Sequence, residues 1–322
     1  MKKSLFLLVS LMMLIPLRAN AVIVAGDLNN DCVIDISDLT ELIGYVLGEG
    51  SGIAEADANG DGFVDVDDIT DLINFLLHAH QTFVVNGVTF SMIKVDGGTF
   101  MMGATAEQGT IPKVGESPAH QVTLSTYSIG ETEVTQALWL AVMGNNPSKW
   151  TGDLNRPVEC VSWEDIQVFI ATLNEITGKT FRLPTEAEWE FAARGGNKSQ
   201  GYRYAGSNDV DEVSWYGANS NTPTHTVAQK KANELGTYDM SGNVHEWCQD
   251  WYDKNYYSVS PSVNPTGPEE PTQFETISGV SAGCIVCRGG TYWMDASYSR
   301  VAYRHPSGCT GRWSDLGFRL AL

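Results

Sequence analysis

Two twelve-residue stretches, DLNNDCVIDISD at 27–38 and DANGDGFVDVDD at 57–68, repeat one pattern at an interval of thirty residues. Each places side-chain oxygens at positions 1, 3, 5, 9 and 12: Asp27, Asn29, Asp31, Asp35 and Asp38, then Asp57, Asn59, Asp61, Asp65 and Asp68. Between residues 22 and 93 there is no lysine or arginine, while thirteen acidic residues fall between 27 and 71, so their repulsion needs an outside cation. A calcium ion takes six to eight oxygens, and this spacing wraps a loop around one, with the backbone carbonyls of Val33 and Phe63 at position 7.

Each loop runs into an apolar stripe of helical period, and the stripes match at the same offset: Leu39 with Ile69, Leu42 with Leu72, Ile43 with Ile73, Val46 with Leu76, Leu47 with Leu77. Two such helices bury faces that neither could bury alone. The duplicated loop–helix unit resembles a dockerin, a calcium-dependent docking module, over residues 26–80, and the resemblance implies a cohesin-like protein partner. Position 6 is Gly62 in the second loop but Cys32 in the first, where the sharp turn favours glycine, so the first site is expected to be weaker. The residues ahead of position 12, Ile36-Ser37 and Val66-Asp67, lack the Ser-Thr pair of many cohesin-binding dockerins.

The chain opens with Lys2 and Lys3, an apolar run from Leu5 to Leu17, and Ala19-Asn20-Ala21, which together read as a secretory leader cleaved near Ala21. The run is too short to span a bilayer, and no later segment is long and apolar enough. The expected location is secreted, periplasmic or cell-surface. Removal of Lys2, Lys3 and Arg18 would take the formal charge from −19 to −22, which argues against nucleic acid as a partner. Six cysteines in an exported chain allow up to three disulfides without specifying the pairing. Cys284-x-x-Cys287 lies in a segment of strand character with no second pair, so a structural role is expected over a redox or zinc site.

The expected organisation is a leader (1–21), a small all-α domain of two calcium loop–helix units (22–81) and a large α+β domain (82–322). Residues 80–86 are read as a short connection. In the large domain, FSMIKVDGGTFMMG alternates like a hairpin turning at Gly97-Gly98, and the segment from Thr132 reads as a helix ending at Gly144. Ser162 with Asp165, and Thr185 with Glu188, form capping boxes at two helix starts. Beyond Gly196 mostly irregular chain with short strands is expected. In YDMSGNVHEW, Asp239 and Glu246 flank a Ser-Gly-Asn turn, so two carboxylates and loop carbonyls can converge on a hard cation.

The segments VDGGTFMMG, RPVECVSWEDIQVFI, FRLPTEAEWEFAARGG, TYDMSGNVHEWCQDWY, CRGGTYW and LGFRLAL occur in this order. Together they resemble the sulfatase-modifying-factor family, whose founding member is the formylglycine-generating enzyme, over residues 90–322. The resemblance implies a C-type-lectin-like fold of small sheets, paired helices and long ordered loops. It also implies a structural calcium held by the Asp239 side chain, the Gly242 and Val244 carbonyls and Glu246. A second family calcium site would begin at Asn219-Ser220, but its other half is missing from NTPTHTVAQ.

In that enzyme two cysteine thiolates, five residues apart and shortly after a Gly-Gly motif, hold copper(I). Counting from Gly289-Gly290, the two positions fall on Met294 and Ser299. Copper(I) prefers charged sulfur, whereas a thioether is neutral and a hydroxyl stays protonated, so no catalytic residue is assigned and copper is not expected. Tyr292, Trp293, Tyr298, Tyr303, Arg304, His305 and Trp313 are instead expected to present a recognition surface for a glycan or a protein. The leading expectation is a secreted, non-catalytic, calcium-stabilised recognition protein. Two alternatives are a formylglycine-type oxidase acting on a sulfatase cysteine and a structural part of a cell-surface assembly.

Overall fold

The computed structural model describes residues 28, 36–46, 64–66, 68–69, 80–109 and 115–322. The expected ligands Asp27, Asn29, Asp31, Val33, Asp35, Asp57, Asn59, Asp61 and Phe63 lie outside the described residues, as does the leader. The first repeat unit forms helix α1 (Ile36–Val46). Leu28 and Leu42 are buried, and Leu39, Val46, Val64 and Ile69 pack on them, so apolar residues of the two repeats share one core. Asp38 and Asp68, at position 12 of their loops, are fully buried. Each carboxylate accepts a backbone N–H, Leu28 to Asp38 Oδ1 and Asp65 to Asp68 Oδ2, both at 2.8 Å.

The large domain begins with strand β1 (His80–Val85), pairing antiparallel with β2 (Val88–Val95) from His80 opposite Ile93. Residues 80–85 are therefore sheet, not a connection, and the strand starts two residues ahead of the expected boundary at 81/82. Strand β5 (Tyr127–Gly130) completes a three-stranded sheet of order β1-β2-β5. The expected hairpin does not form. β3 (Gly98–Met102) pairs instead with β4 (His120–Leu124), and a Cβ on Gly97 would lie 2.5 Å from the Leu124 carbonyl oxygen, so this glycine lets two backbones cross.

Three helices follow: α2 (Gln136–Met143), α3 (Trp163–Thr177) and α4 (Glu186–Ala193). Both capping boxes are present, each with reciprocal side-chain and backbone bonds. α2 starts later than its apolar residues suggest because Thr135, not Thr132, caps it by accepting the Leu138 N–H. Gly144 ends it in the left-handed region (φ 73°) with open space where a side chain would stand. Gly144→Ala is expected to cost about 1 kcal/mol from backbone strain alone, read as a lowered urea midpoint with unchanged slope.

After a single helical turn, α5 (Val210–Val213), the last sheet comprises β6 (His245–Trp251), β7 (Phe274–Ile277), β8 (Val280–Arg288), β9 (His305–Gly308) and β10 (Leu316–Gly317). Its order is β10-β6-β8-β7, with β9 also on β8. β8 is the hub, and its near-continuous apolar run suits burial on both faces. Ile285 and Cys287 face a core built with Trp139, Phe169 and Phe318, whereas Cys284 and Val286 face a second core around Trp189 and Phe191. The two cysteines of C-x-x-C thus point to opposite sides and cannot act as a pair. Cys160, Cys248, Cys284, Cys287 and Cys309 are all free thiols, so the disulfides allowed by cysteine number do not form among the described residues.

Candidate functional site

Gly289 and Gly290 adopt positive φ (92° and 80°), and a Cβ on Gly290 would stand 2.7 Å from the Tyr298 carbonyl oxygen. This tight passage carries the chain from β8 into the segment that ends at Ser299. Backbone bonds from Gly242 N–H to the Gly289 carbonyl (2.7 Å) and from Tyr292 N–H to the Asn243 carbonyl (2.8 Å) fix it to the preceding loop. Ser299 is fully buried, with its Oγ 3.2 Å from Ser214 Oγ, while its carbonyl accepts the Ser241 hydroxyl. Met294 instead borders an open cavity of about 330 Å³.

Trp293 and Trp313 line that cavity and are 55% and 42% exposed. With them stand His245, His305, Glu275 and Asp315. Asp315 Oδ2 accepts the Trp293 indole N–H at 2.6 Å, Trp313 donates to Ser307 Oγ at 3.2 Å, and Glu275 Oε2 accepts the Gly308 N–H at 2.7 Å. The imidazoles of His245 and His305 stack with centroids 5.1 Å apart and an interplanar angle of 2°. Burial lowers the pKa of both; for His245 it falls to about 3. His245 Nδ1 meets the backbone at Gly290 N and Arg288 O, but Nε2 is buried without a partner.

Of the seven residues expected to form a surface, six border openings, four of them with part of the side chain exposed. Trp293, His305 and Trp313 line this cavity, and Tyr298 lines a neighbouring one of about 280 Å³ that also touches His305. Tyr303 and Arg304 border the second opening but are buried, and Tyr292 is buried with its hydroxyl accepting the Trp150 indole N–H at 3.1 Å. The Arg304 guanidinium turns inward and pairs with both oxygens of Glu186 at 2.7 and 2.6 Å. Glu275, Asp315 and His245 were not among the expected site residues. They come from a hairpin, a terminal loop and β6, and no local motif marks them.

Behind the loop lies a buried acidic group. Glu133 accepts the Asn243 side-chain amide and the Val244 N–H, and Asp239 Oδ2 accepts the Ala228 N–H. Glu246 is held by Arg319 through both oxygens (2.6 and 2.7 Å) and by the Trp189 indole (2.7 Å). Burial, reinforced by the neighbouring acids Asp239 and Glu246, pushes the Glu133 carboxyl well above the usual range, and burial pushes Asp239 up to about 6. When ionised, three acids facing one guanidinium carry excess negative charge, which a divalent cation would relieve. Among the described residues no three His, Cys, Asp or Glu side chains converge as a metal-ligand set. A cation here would thus depend on carbonyls as well as carboxylates.

The start of the degenerate second site, Asn219-Ser220, is satisfied by the protein itself. His225 Nε2 lies 2.7 Å from the Ser220 carbonyl oxygen, and its ring stacks on Trp215 at 3.8 Å while Lys230 sits over the same indole. Asn219 Oδ1 accepts the Tyr216 N–H, and its amide donates to the Ser214 carbonyl.

An α+β scaffold of small sheets and three helices, with a loop-rich half carrying a tryptophan-lined cavity and a preceding acidic repeat module, defines a formylglycine-generating-enzyme type of protein. Residues 85–322 match the sulfatase-modifying factor enzyme 1-like domain and residues 25–77 the dockerin type I domain, so the chain belongs to the former family and carries the latter module. It is 33% identical over 284 residues to the chaperone protein LppX of Paenibacillus barcinonensis, covering 72% of this chain and 89% of that protein. The formylglycine-generating enzyme of Streptomyces coelicolor is 31% identical over 300 residues, covering 72% and 89%. Among solved structures, Treponema denticola variable protein 1 superposes with a TM-score of 0.65 at 33% identity, covering 75% of this chain and 98% of that one. PvdO from Pseudomonas aeruginosa gives 0.61 at 25% identity, covering 72% and 93%. Dockerin domains generally bind calcium and cohesins and are typical of extracellular proteins. Among the described residues no helix is long and apolar enough to cross a membrane.

Proposed function

We propose that this chain is an exported, non-catalytic recognition protein, docked through residues 26–80 and presenting a ligand cavity on its formylglycine-generating-enzyme-type domain. The observation that carries the reading is the chemistry at the two thiolate positions. Met294 offers a neutral thioether and Ser299 a buried hydroxyl already hydrogen-bonded to Ser214, neither of which is a thiolate for copper(I). Among the described residues the other thiols do not replace them. Burial raises the Cys248 and Cys287 thiols well above their usual value and takes Cys284 to about 11 and Cys160 to about 12. The Cys309 thiol is raised by burial as well. Protonated thiols make poor nucleophiles, and none of these five cysteines stands at either thiolate position.

Calcium is assigned to the duplicated loops, with Asp38 and Asp68 as the last ligands, and to the turn at Asp239, Gly242, Val244 and Glu246. Support for the loops is the repeated oxygen spacing. Support for the turn is the gathering of Glu133, Asp239 and Glu246 in one buried place, where a divalent cation would favour the ionised acids. The leader at 1–21 and the module boundaries belong to the same reading, with the recognition domain starting at His80. The ligand is a glycan or a protein.

The test is anaerobic copper(I) titration of the reduced, calcium-loaded protein, then aerobic incubation with a sulfatase-type cysteine peptide and mass analysis. Neither tight copper binding nor aldehyde formation is expected. Both together would establish an oxidase and overturn the reading.

A further inference from the structure

The cavity between Trp293 and Trp313 has a chemistry narrower than recognition in general. Two carboxylates, Glu275 and Asp315, line it, and no lysine or arginine does. Each carboxylate has one oxygen tied to a protein N–H, Glu275 to Gly308 and Asp315 to the Trp293 indole, which fixes the side chains in place. The Asp315 bond also fixes the orientation of the Trp293 ring, and the bond from Trp313 to Ser307 anchors the second indole. His245 also lines the cavity but is only 3% exposed, with its Nε2 buried, so it shapes the wall and is not a ligand contact.

Anionic ligands are disfavoured because nothing in the lining offsets the two acids. A neutral sugar would stack on the indoles but would leave both carboxylates partly desolvated without a counter-charge, which is costly. A cation neutralises them, and the face of an indole attracts it further. A volume of about 330 Å³ suits a small head group with a short stem. We propose that this cavity binds an organic ammonium group carried on an apolar stem, with Glu275 and Asp315 as counter-charges and Trp293 and Trp313 as the aromatic walls. The proposal rests on the reading of the domain as a recognition module and names the chemistry of its ligand. That chemistry is shared by a lysine side chain and by a free quaternary ammonium compound such as choline.

The experiment uses the calcium-loaded full chain and follows the indole N–H resonances of Trp293 and Trp313, assigned by Trp293→Phe and Trp313→Phe. The probes are choline, its uncharged isostere 3,3-dimethylbutanol, acetyl-lysine-amide, its Nε-acetylated form, and N-acetylglucosamine. Choline or acetyl-lysine-amide is expected to move both resonances saturably, with the uncharged counterpart weaker by about tenfold or more. Whichever of the two binds more tightly identifies the source of the ammonium. Glu275→Gln and Asp315→Asn should each weaken binding by about tenfold while the melting temperature stays native. Equal binding of charged and neutral probes, or tighter binding of N-acetylglucosamine, overturns the ammonium assignment and leaves recognition standing. Absence of saturable binding by both ammonium probes in natively melting protein also overturns it. Copper-dependent aldehyde formation would instead sink the reading beneath it.

Discussion

Replacing Arg288 with methionine is expected to destabilise the large domain by about 3–5 kcal/mol. Arg288 closes β8 and is fully buried, with its guanidinium over the Trp189 ring at 5.2 Å. It pairs with Glu190 and donates to the Tyr303 carbonyl, while its Nε lies 3.5 Å from Glu186. Methionine keeps much of the volume but leaves the Glu190 charge dependent on Arg194 (2.8 Å) and the Gly103 N–H (2.8 Å). The cost is thus a buried carboxylate oxygen, Glu190 Oε2, left without its partner, not a cavity. Arg288→Met/Glu190→Leu should recover part of the loss, since apolar replacement of both partners removes that charge. Urea midpoints at constant slope measure both; a single-variant loss below about 1 kcal/mol would mean that the charge is relieved by water or by rearrangement.

The same network has a pH signature. Burial alone would raise the Glu190 carboxyl, but Arg194, Arg288 and the Gly103 N–H hold it below its usual 4.5. A lowered native pKa means that the unfolded chain binds the proton first. The stabilisation is therefore complete above about pH 4.5 and lost as pH falls through the lower native value. Glu190→Gln, though less stable near neutrality, should show a shallower decline in stability below pH 4.5 than the natural sequence.

What was legible in the sequence was what local chemistry decides. Ser162 with Asp165 and Thr185 with Glu188 announced helix starts because a cap is written within four residues, and both formed. The β2–β3 hairpin failed because strand choice is tertiary: β2 is claimed by β1 and β5, and β3 by β4, across a glycine that admits a second backbone. Likewise Tyr292 and Arg304 were expected outside on residue type, yet Arg304 is drawn inward by the two oxygens of Glu186, 118 residues away. The cavity acids Glu275 and Asp315 reach one site only through the pairing of β7, β8 and β9 and the return of the chain into β10. No spacing rule connects them.

The count that places the two thiolate positions on Met294 and Ser299 is itself open to a direct chemical check. Met294→Cys/Ser299→Cys is expected to gain tight copper(I) binding, retaining the metal against a chelator that strips it from the natural protein. Each single variant should fail, since one thiolate lacks the second soft, charged donor that copper(I) favours. The Ser299 site is fully buried beside Ser214, so a lone cysteine there should behave like Cys287, with its thiol held protonated by burial. Copper would reverse that preference by stabilising the thiolate directly. Titration under anaerobic conditions, with melting curves to establish folding, gives the answer. Retention of copper by the double variant would show that the scaffold still brings the positions together and that two side chains separate it from a metal site. Failure in folded protein would mean that the loop holds these residues apart, and the case against catalysis would then rest on loop geometry in addition to ligand chemistry.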